Sequence, residues 1–94
     1  MERTEKEQHM QSLYELIAGI QDPGDIEALL EDLCTRKEVE NMAERVYAAK
    51  LLIEGNTYNQ VMSQASISSA TLSRVSHCVQ YGKGYSKLLP RKKD

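Results

Sequence analysis

Residues 65–78, which read ASISSATLSRVSHC, hold the side chains whose types and spacing are most informative about chemistry. The apolar ones recur at the spacing of one buried helical face: Ile67, Leu72 and Val75. The opposite face carries three small side chains, a histidine and one cation: Ser69, Ala70, Ser73, His77 and Arg74. Small side chains let a helix backbone approach base edges in the major groove of DNA, where hydroxyls hydrogen-bond and methyls touch thymine. The segment is therefore typical of a helix that binds DNA.

The residues around this segment predict a helix-turn-helix. Thr57 and Gln60 have the spacing of a capping box, which predicts the start of a short helix. Residues 65–67 are too few for anything except a tight turn, and Ser68 suits the N-cap of a second helix. Five apolar positions would pin the two helices together: Val61, Ala65, Ile67, Leu72 and Val75. In DNA-binding proteins of this type the N-terminal end of the second helix enters the major groove. The alternative is an ordinary pair of packed helices.

Helical periodicity accounts for the rest of the chain, so the predicted fold class is all-α, with five to six helices. A first helix over residues 2–20 precedes one that begins at Pro23. Thr35 and Glu38 have the spacing of a capping box for a third helix, which Gly55 ends. The apolar stripe predicted on that helix comprises Val39, Met42, Ala43, Val46, Ala49 and Ile53. The run YSKLL near the C terminus predicts one further helical turn.

The formal net charge of −2 is divided unevenly along the chain. Residues 1–54 contain 13 acidic and 6 basic side chains, a formal charge of −7. Residues 55–94 contain 1 acidic and 6 basic side chains, a formal charge of +5. Because a surface potential is set by nearby charges, the basic C-terminal half can dock on phosphates although the whole chain is acidic. The alternative is that Arg91, Lys92 and Lys93 form an ordinary solubilising tail.

Length and composition predict a single helical domain over residues 1–94. Without Trp or Phe the core must rest on aliphatic side chains and some of the five Tyr, so we expect the chain to gain stability by oligomerising. No apolar run is long enough to cross a membrane, and no signal-peptide core follows Met1, so we expect a cytoplasmic protein. Cys34 and Cys78 have no metal or redox spacing, and no metal site is predicted.

The stretch from Thr35 to about Tyr81 resembles the Trp repressor superfamily, and most closely its TrpR-like YerC/YecD family, through four motifs, the last of which runs on to Tyr85: TRKEVENMAERV, LLIEG, SSATLSRV and CVQYGKGY. The resemblance implies an intertwined homodimer whose two recognition helices enter successive major grooves of a palindromic operator in double-stranded DNA. The helix-turn-helix would comprise residues 57–80, and the amphipathic helices of residues 1–34 would form the dimerisation surface. The implied function is sequence-specific transcriptional regulation, and gating by a small-molecule effector is left open.

The resemblance also implies which residues contact DNA. The operator-contacting positions of the family correspond to Asn59, Met62, Ser69, Ala70 and Ser73. Met62 stands where the repressor has a lysine, and Asn59 stands where it has an arginine, so base preference and phosphate contacts should differ from the repressor's. With the capping hydroxyls and the adjacent cation included, the predicted DNA-binding residues are Asn59, Met62, Ser68, Ser69, Ala70, Thr71, Ser73 and Arg74.

A candidate effector pocket follows from the same resemblance and comprises Arg45, Arg74, Val75 and Cys78. The two arginines match the pair that holds tryptophan in the repressor. Val75, however, replaces a glycine beside the indole, and Cys78 replaces a serine that helps to hold the amino group. We therefore expect neither tryptophan as co-repressor nor another cofactor. The arginines have two alternatives, which are another small anion or ion pairs with nearby carboxylates such as Glu38, Glu40 and Glu44.

Two other classes of function have less support. A helical protein-interaction module that no longer binds DNA is the main alternative, and the acidic first half of the chain favours it. An enzyme is not expected, because His9 and His77 are far apart in sequence and the chain has neither a nucleophile elbow nor a phosphate-binding loop. Loss of DNA binding on substitution of Ser73 or Arg74, with the fold intact, would distinguish a regulator from an interaction module.

Overall fold

The computed structural model describes residues 3–89, which form six α-helices and no β-strand. In chain order the helices are α1 (Glu5–Ala18), α2 (Pro23–Leu33), α3 (Arg36–Ile53), α4 (Tyr58–Gln64), α5 (Ser69–Tyr81) and α6 (Gly84–Leu88). The predicted all-α class is confirmed, and the run YSKLL contributes most of α6. No described helix is both long and apolar enough to cross a membrane. Contacts divide the chain between Arg36 and Lys37 into two compact units.

The helices of the first unit, α1 and α2, bury none of their residues. A capping box begins α1: Thr4 Oγ1 accepts from the Glu7 N–H at 3.1 Å, and the Thr4 N–H donates to Glu7 Oε1 at 2.8 Å. The backbone hydrogen bond from Thr4, aided by its hydroxyl, lowers the pKa of Glu7. Residues 3 and 4, predicted as helical, therefore precede the helix, and residue 2 lies outside the described part. Asp22 and Pro23 occupy the N-cap and first position of α2, although the Asp22 side chain makes no capping hydrogen bond.

The core of the second unit consists of small and branched side chains: Ala48, Ala49, Leu51, Val61, Ala65, Leu72 and Val75. The buried side of α3 differs from the predicted stripe. Ala49 is buried as predicted, but Met42 and Val46 are 40% and 41% exposed, and Ala48 and Leu51 are buried instead. An alanine carries little weight in a hydrophobic pattern, yet a fully buried alanine lets a neighbouring helix approach closely. Tertiary packing, and not the hydrophobicity pattern along the sequence, therefore determines which side of α3 is buried.

A Schellman motif ends α3 and leads the chain into α4. The Asn56 N–H donates to the Leu51 carbonyl at 3.0 Å, and the Gly55 N–H donates to the Leu52 carbonyl at 3.0 Å. The Asn56 side-chain amide donates to the same Leu51 oxygen at 2.9 Å. Gly55 has a φ of 101°, a conformation that L side chains rarely adopt. The predicted stop at Gly55 is thus confirmed, and its cause is backbone conformation.

Replacing Gly55 with alanine is expected to lower the free energy of unfolding by about 1–3 kcal/mol, because a Cβ strains the backbone at this φ. Urea unfolding followed by circular dichroism measures the change. Gly84→Ala is the matched control, since a Cβ there meets no atom within 4 Å and φ is not positive. Equal unfolding midpoints for the two variants would contradict the explanation.

Candidate nucleic-acid interface

The two helices of the predicted helix-turn-helix, α4 and α5, are joined by a turn and share one core. Val61 and Leu72 have no exposed surface, Val75 is 2% exposed and Ala65 is 7% exposed. Ile67 lies half-buried in the turn and packs against the same cluster. All five predicted pinning positions therefore lie in or against the core. On α4, Val61 is buried, whereas its neighbour Met62 is 39% exposed.

Side-chain caps fix where the two helices begin. Thr57 Oγ1 accepts from the Gln60 N–H at 3.2 Å, and Gln60 Oε1 accepts from the Thr57 N–H at 2.7 Å, which completes the predicted capping box of α4. Ser68 Oγ accepts from the Thr71 N–H at 3.1 Å and donates to Thr71 Oγ1 at 3.0 Å. Both capping predictions are confirmed. The hydroxyls of Ser68 and Thr71 are thereby occupied with each other at the start of α5.

The face of α5 opposite the core is exposed along its first two turns. Its exposed residues are Ser69, Ala70, Ser73 and Arg74. Thr71 is half-buried, while Ser68 at the N-cap and Asn59 and Met62 on α4 are exposed. The predicted DNA-binding residues are thus all exposed, apart from the partly covered Thr71. None of the four on the α5 face is drawn into the interior.

The electrostatics of this region favour an anionic partner. Within residues 55–89 the charged side chains are all cations, namely Arg74, Lys83 and Lys87. Among the described residues no carboxylate forms an ion pair with Arg74, so the alternative of a surface salt bridge is not observed. The three basic residues of the predicted tail, at positions 91–93, lie outside the described part. An exposed arginine that has no carboxylate partner among the described residues can bind a phosphate without first breaking an ion pair.

The residues of the candidate effector pocket lie in different surroundings within the single chain. Arg45 lines a polar cleft between α3 and the turn, together with Asn41, Glu44, Ser66, Ile67, Ser68 and Thr71. Cys78 lines a separate apolar cleft whose other walls include Val46, Tyr85 and Leu88. Val75 is in the core and Arg74 is exposed on α5. Arg45 has no ion pair among the described residues, so of the two alternatives left open for it, pairing with nearby glutamates is not observed.

Two features of this region were not predicted. The carboxylate of Glu44 accepts a hydrogen bond from the backbone N–H of Ser66 at 2.8 Å, across 22 residues of sequence. No local pattern signals it, since Glu44 resembles any glutamate on the polar side of a helix. The ring centroids of His77 and Tyr81, two exposed residues of α5, lie 4.9 Å apart, and the ring planes are inclined at 48°. Their i, i+4 spacing could have indicated that contact.

Comparison with known proteins identifies relatives that share both sequence and fold. The chain matches the profile of the Trp repressor protein family over residues 8–93. It is 35% identical to YerC, an uncharacterized protein of Bacillus subtilis strain 168, over 86 residues that make up 90% of this chain and 83% of YerC.

Two crystal structures have the same fold. A TrpR-like protein from Eubacterium eligens superposes with a TM-score of 0.84 at 30% identity, covering 92% of this chain and 94% of that one. A protein from Staphylococcus aureus, described as a Trp repressor, superposes with a TM-score of 0.79 at 26% identity, covering 89% of each chain. These likenesses confirm the predicted resemblance: the chain belongs to the Trp repressor family, in the group that contains YerC and the TrpR-like proteins.

Proposed function

We propose that this protein is a sequence-specific DNA-binding transcriptional regulator that binds a palindromic operator as a homodimer. The observation that carries the proposal is the exposed, small-residue face of α5, held outward by a core that uses the whole opposite face of the helix. Membership of the Trp repressor family supports the same function. The proposal assigns the N-terminal end of α5 to the major groove.

The size of the side chains on this face suits a helix that enters a groove. The major groove of B-DNA is about 12 Å wide, close to the diameter of an α-helix with its side chains. Ser69, Ala70 and Ser73 add little to the radius of the helix, so the backbone can lie near base edges. The hydroxyls of Ser69 and Ser73 would then hydrogen-bond to bases, and the Ala70 methyl would contact thymine.

Other groups of the region would position the protein without reading sequence. The Arg74 guanidinium is free to bind a phosphate at the groove edge, which fixes register and contributes affinity. The first amide groups of α5 point toward the same end of the helix and favour anions. On α4, Asn59 and Met62 would lie against the DNA backbone, where an amide and a thioether replace the cations of the repressor. Affinity should therefore depend strongly on Arg74.

A homodimer is supported by the first unit of the chain. Its helices bury none of their residues, and their larger apolar side chains are exposed in the single chain: Met10, Leu13, Leu16, Ile17, Ile26 and Leu33. Exposed apolar side chains in this number favour association. One recognition helix also contacts too few base pairs for a specific site, and two half-sites one helical turn apart supply the remainder.

We further propose that DNA binding needs no tryptophan. Val75 is almost fully buried and fills space where the family resemblance places a glycine. Arg45 nevertheless lies in a polar cleft beside the turn, where it could bind a small anionic effector. Small anions are the candidate effectors because Arg45 is the cationic side chain that lines this cleft, although the Glu44 carboxylate lines it too and opposes their binding.

Arg74→Ala is expected to weaken binding to a duplex selected from a random DNA pool by at least about tenfold, and to reduce the salt slope of binding by about 1 per subunit. Fluorescence anisotropy between about 50 and 200 mM salt measures both quantities, with circular dichroism to verify the fold. Lys50→Ala is the matched control, because it removes one exposed cation from α3, outside the helix-turn-helix. Equal slopes for the two variants would contradict the phosphate contact assigned to Arg74, and a wild type that binds no duplex from the pool would favour a protein-interaction module instead.

Ile17→Glu is expected to convert the dimer to a monomer, because it places a charge in the apolar surface of α1 that the partner would cover. Sedimentation equilibrium measures the association state. Gln8→Glu adds the same charge on the opposite face of α1, nine residues away in a helix of 3.6 residues per turn, and should leave the dimer intact. A dimer that tolerates Ile17→Glu would place the interface elsewhere.

A further inference from the structure

One hydrogen bond ties the turn of the helix-turn-helix to α3. The Ser66 N–H donates to Glu44 Oε1 at 2.8 Å, and Glu44 is half-buried where it does so. The neighbouring amides are occupied locally: the Ala65 N–H donates to the Val61 carbonyl and the Ile67 N–H donates to the Ala65 carbonyl. The Ser66 amide is thus the turn amide that reaches another element.

Apolar packing alone leaves the orientation of this turn loosely defined. Ala65 and Ile67, on either side of Ser66, pack into or against the core and determine how deep the turn lies. Hydrophobic contact has no directional preference, whereas a hydrogen bond to a carboxylate is both directional and strong. Because α5 begins at Ser69, directly after the turn, a rotation of the turn would change the direction in which α5 points.

We propose that Glu44 is a positioning residue for DNA recognition, whose carboxylate holds the turn so that α5 presents Ser69 and Ser73 at the angle that a major groove accepts. This inference rests on the proposed function and deepens it. Glu44 itself touches no base in this account. It acts through the Ser66 amide alone.

The charge of Glu44 works against the same function. A carboxylate beside a DNA-binding helix repels phosphates, and Glu44 lines the polar cleft next to the turn. A glutamine oxygen could accept the same hydrogen bond without that charge. The charge and the hydrogen bond of Glu44 therefore affect DNA affinity in opposite directions, which makes them separable.

Two variants separate these effects, since Glu44→Gln and Glu44→Ala remove the same charge but only the first keeps an acceptor for Ser66. If charge alone mattered, both would bind the selected duplex more tightly than wild type. The proposal predicts that Glu44→Gln binds at least as tightly as wild type and that Glu44→Ala binds about tenfold more weakly. Glu54→Ala, which removes an exposed carboxylate after the end of α3, is the matched control and should not weaken binding.

Readouts that need no DNA make the test independent of the proposed function. In amide NMR, the Ser66 N–H should exchange faster with solvent in Glu44→Ala than in wild type or Glu44→Gln. Residual dipolar couplings should show α5 reoriented relative to α3 in the alanine variant only. Ser66→Pro removes the donor and keeps the carboxylate, and Ala65 before it already has the extended conformation that proline requires (φ −113°, ψ 144°). It should reproduce the alanine result if Glu44→Ala does not fold.

The possible outcomes are distinct. Unchanged α5 orientation in both Glu44→Ala and Ser66→Pro would overturn the proposal, as would equal DNA affinity of Glu44→Ala and Glu44→Gln. If wild type binds no duplex from the pool, the proposed function fails. The dipolar couplings then still decide whether Glu44 positions α5.

Discussion

The structure of the second unit depends on one apolar core, in which residues of α4 and α5 pack together with the alanines of α3. Ala48 and Ala49 have no exposed surface, and neither do Val61 and Leu72 in the same cluster. The small side chains of α3 thus share one core with two branched side chains that are fully enclosed. Because so few residues form this core, each contributes a large share of its stability. Replacing Leu72 with alanine would leave a cavity and lower the free energy of unfolding by about 2–5 kcal/mol. The outward face of α5 is set by the same packing, since a helix buried on one side must expose the other.

Because the core uses only the buried side of α5, the residues on its outer face can suit binding without affecting the packing. Hydroxyl and methyl groups on α5 contribute little to stability in water, and long charged side chains would serve solubility better. Residues 55–89 of the described part contain no carboxylate, so no acidic side chain there competes with DNA phosphates for the basic side chains. Glu44 lies on α3, but its carboxylate is next to the turn of this region. Its hydrogen bond from the Ser66 N–H explains why a negative charge is present there.

Local chemistry made much of this architecture predictable. The capping residues Thr57 and Ser68 and the stop at Gly55 could be recognised because each acts within a few residues of its own position. The pinning positions of α4 and α5 could be recognised because a buried face repeats with the period of a helix. The buried side of α3 was not predictable from hydrophobicity. It depends on tertiary packing, which buries Ala48 and leaves the more hydrophobic Met42 and Val46 exposed. The Glu44–Ser66 hydrogen bond was invisible because its partners are 22 residues apart and neither has an unusual neighbourhood in sequence. The separate locations of Arg45 and Cys78 likewise depend on tertiary packing alone.

Amide NMR spectra recorded while a selected palindromic duplex is added show directly whether the N-terminal half of α5 is the surface that contacts DNA. The largest changes should fall on Ser69, Ala70, Ser73 and Arg74, with smaller ones on the exposed residues of α4. Changes confined to α1 and α2, with α5 signals unmoved at saturating duplex, would contradict this expectation.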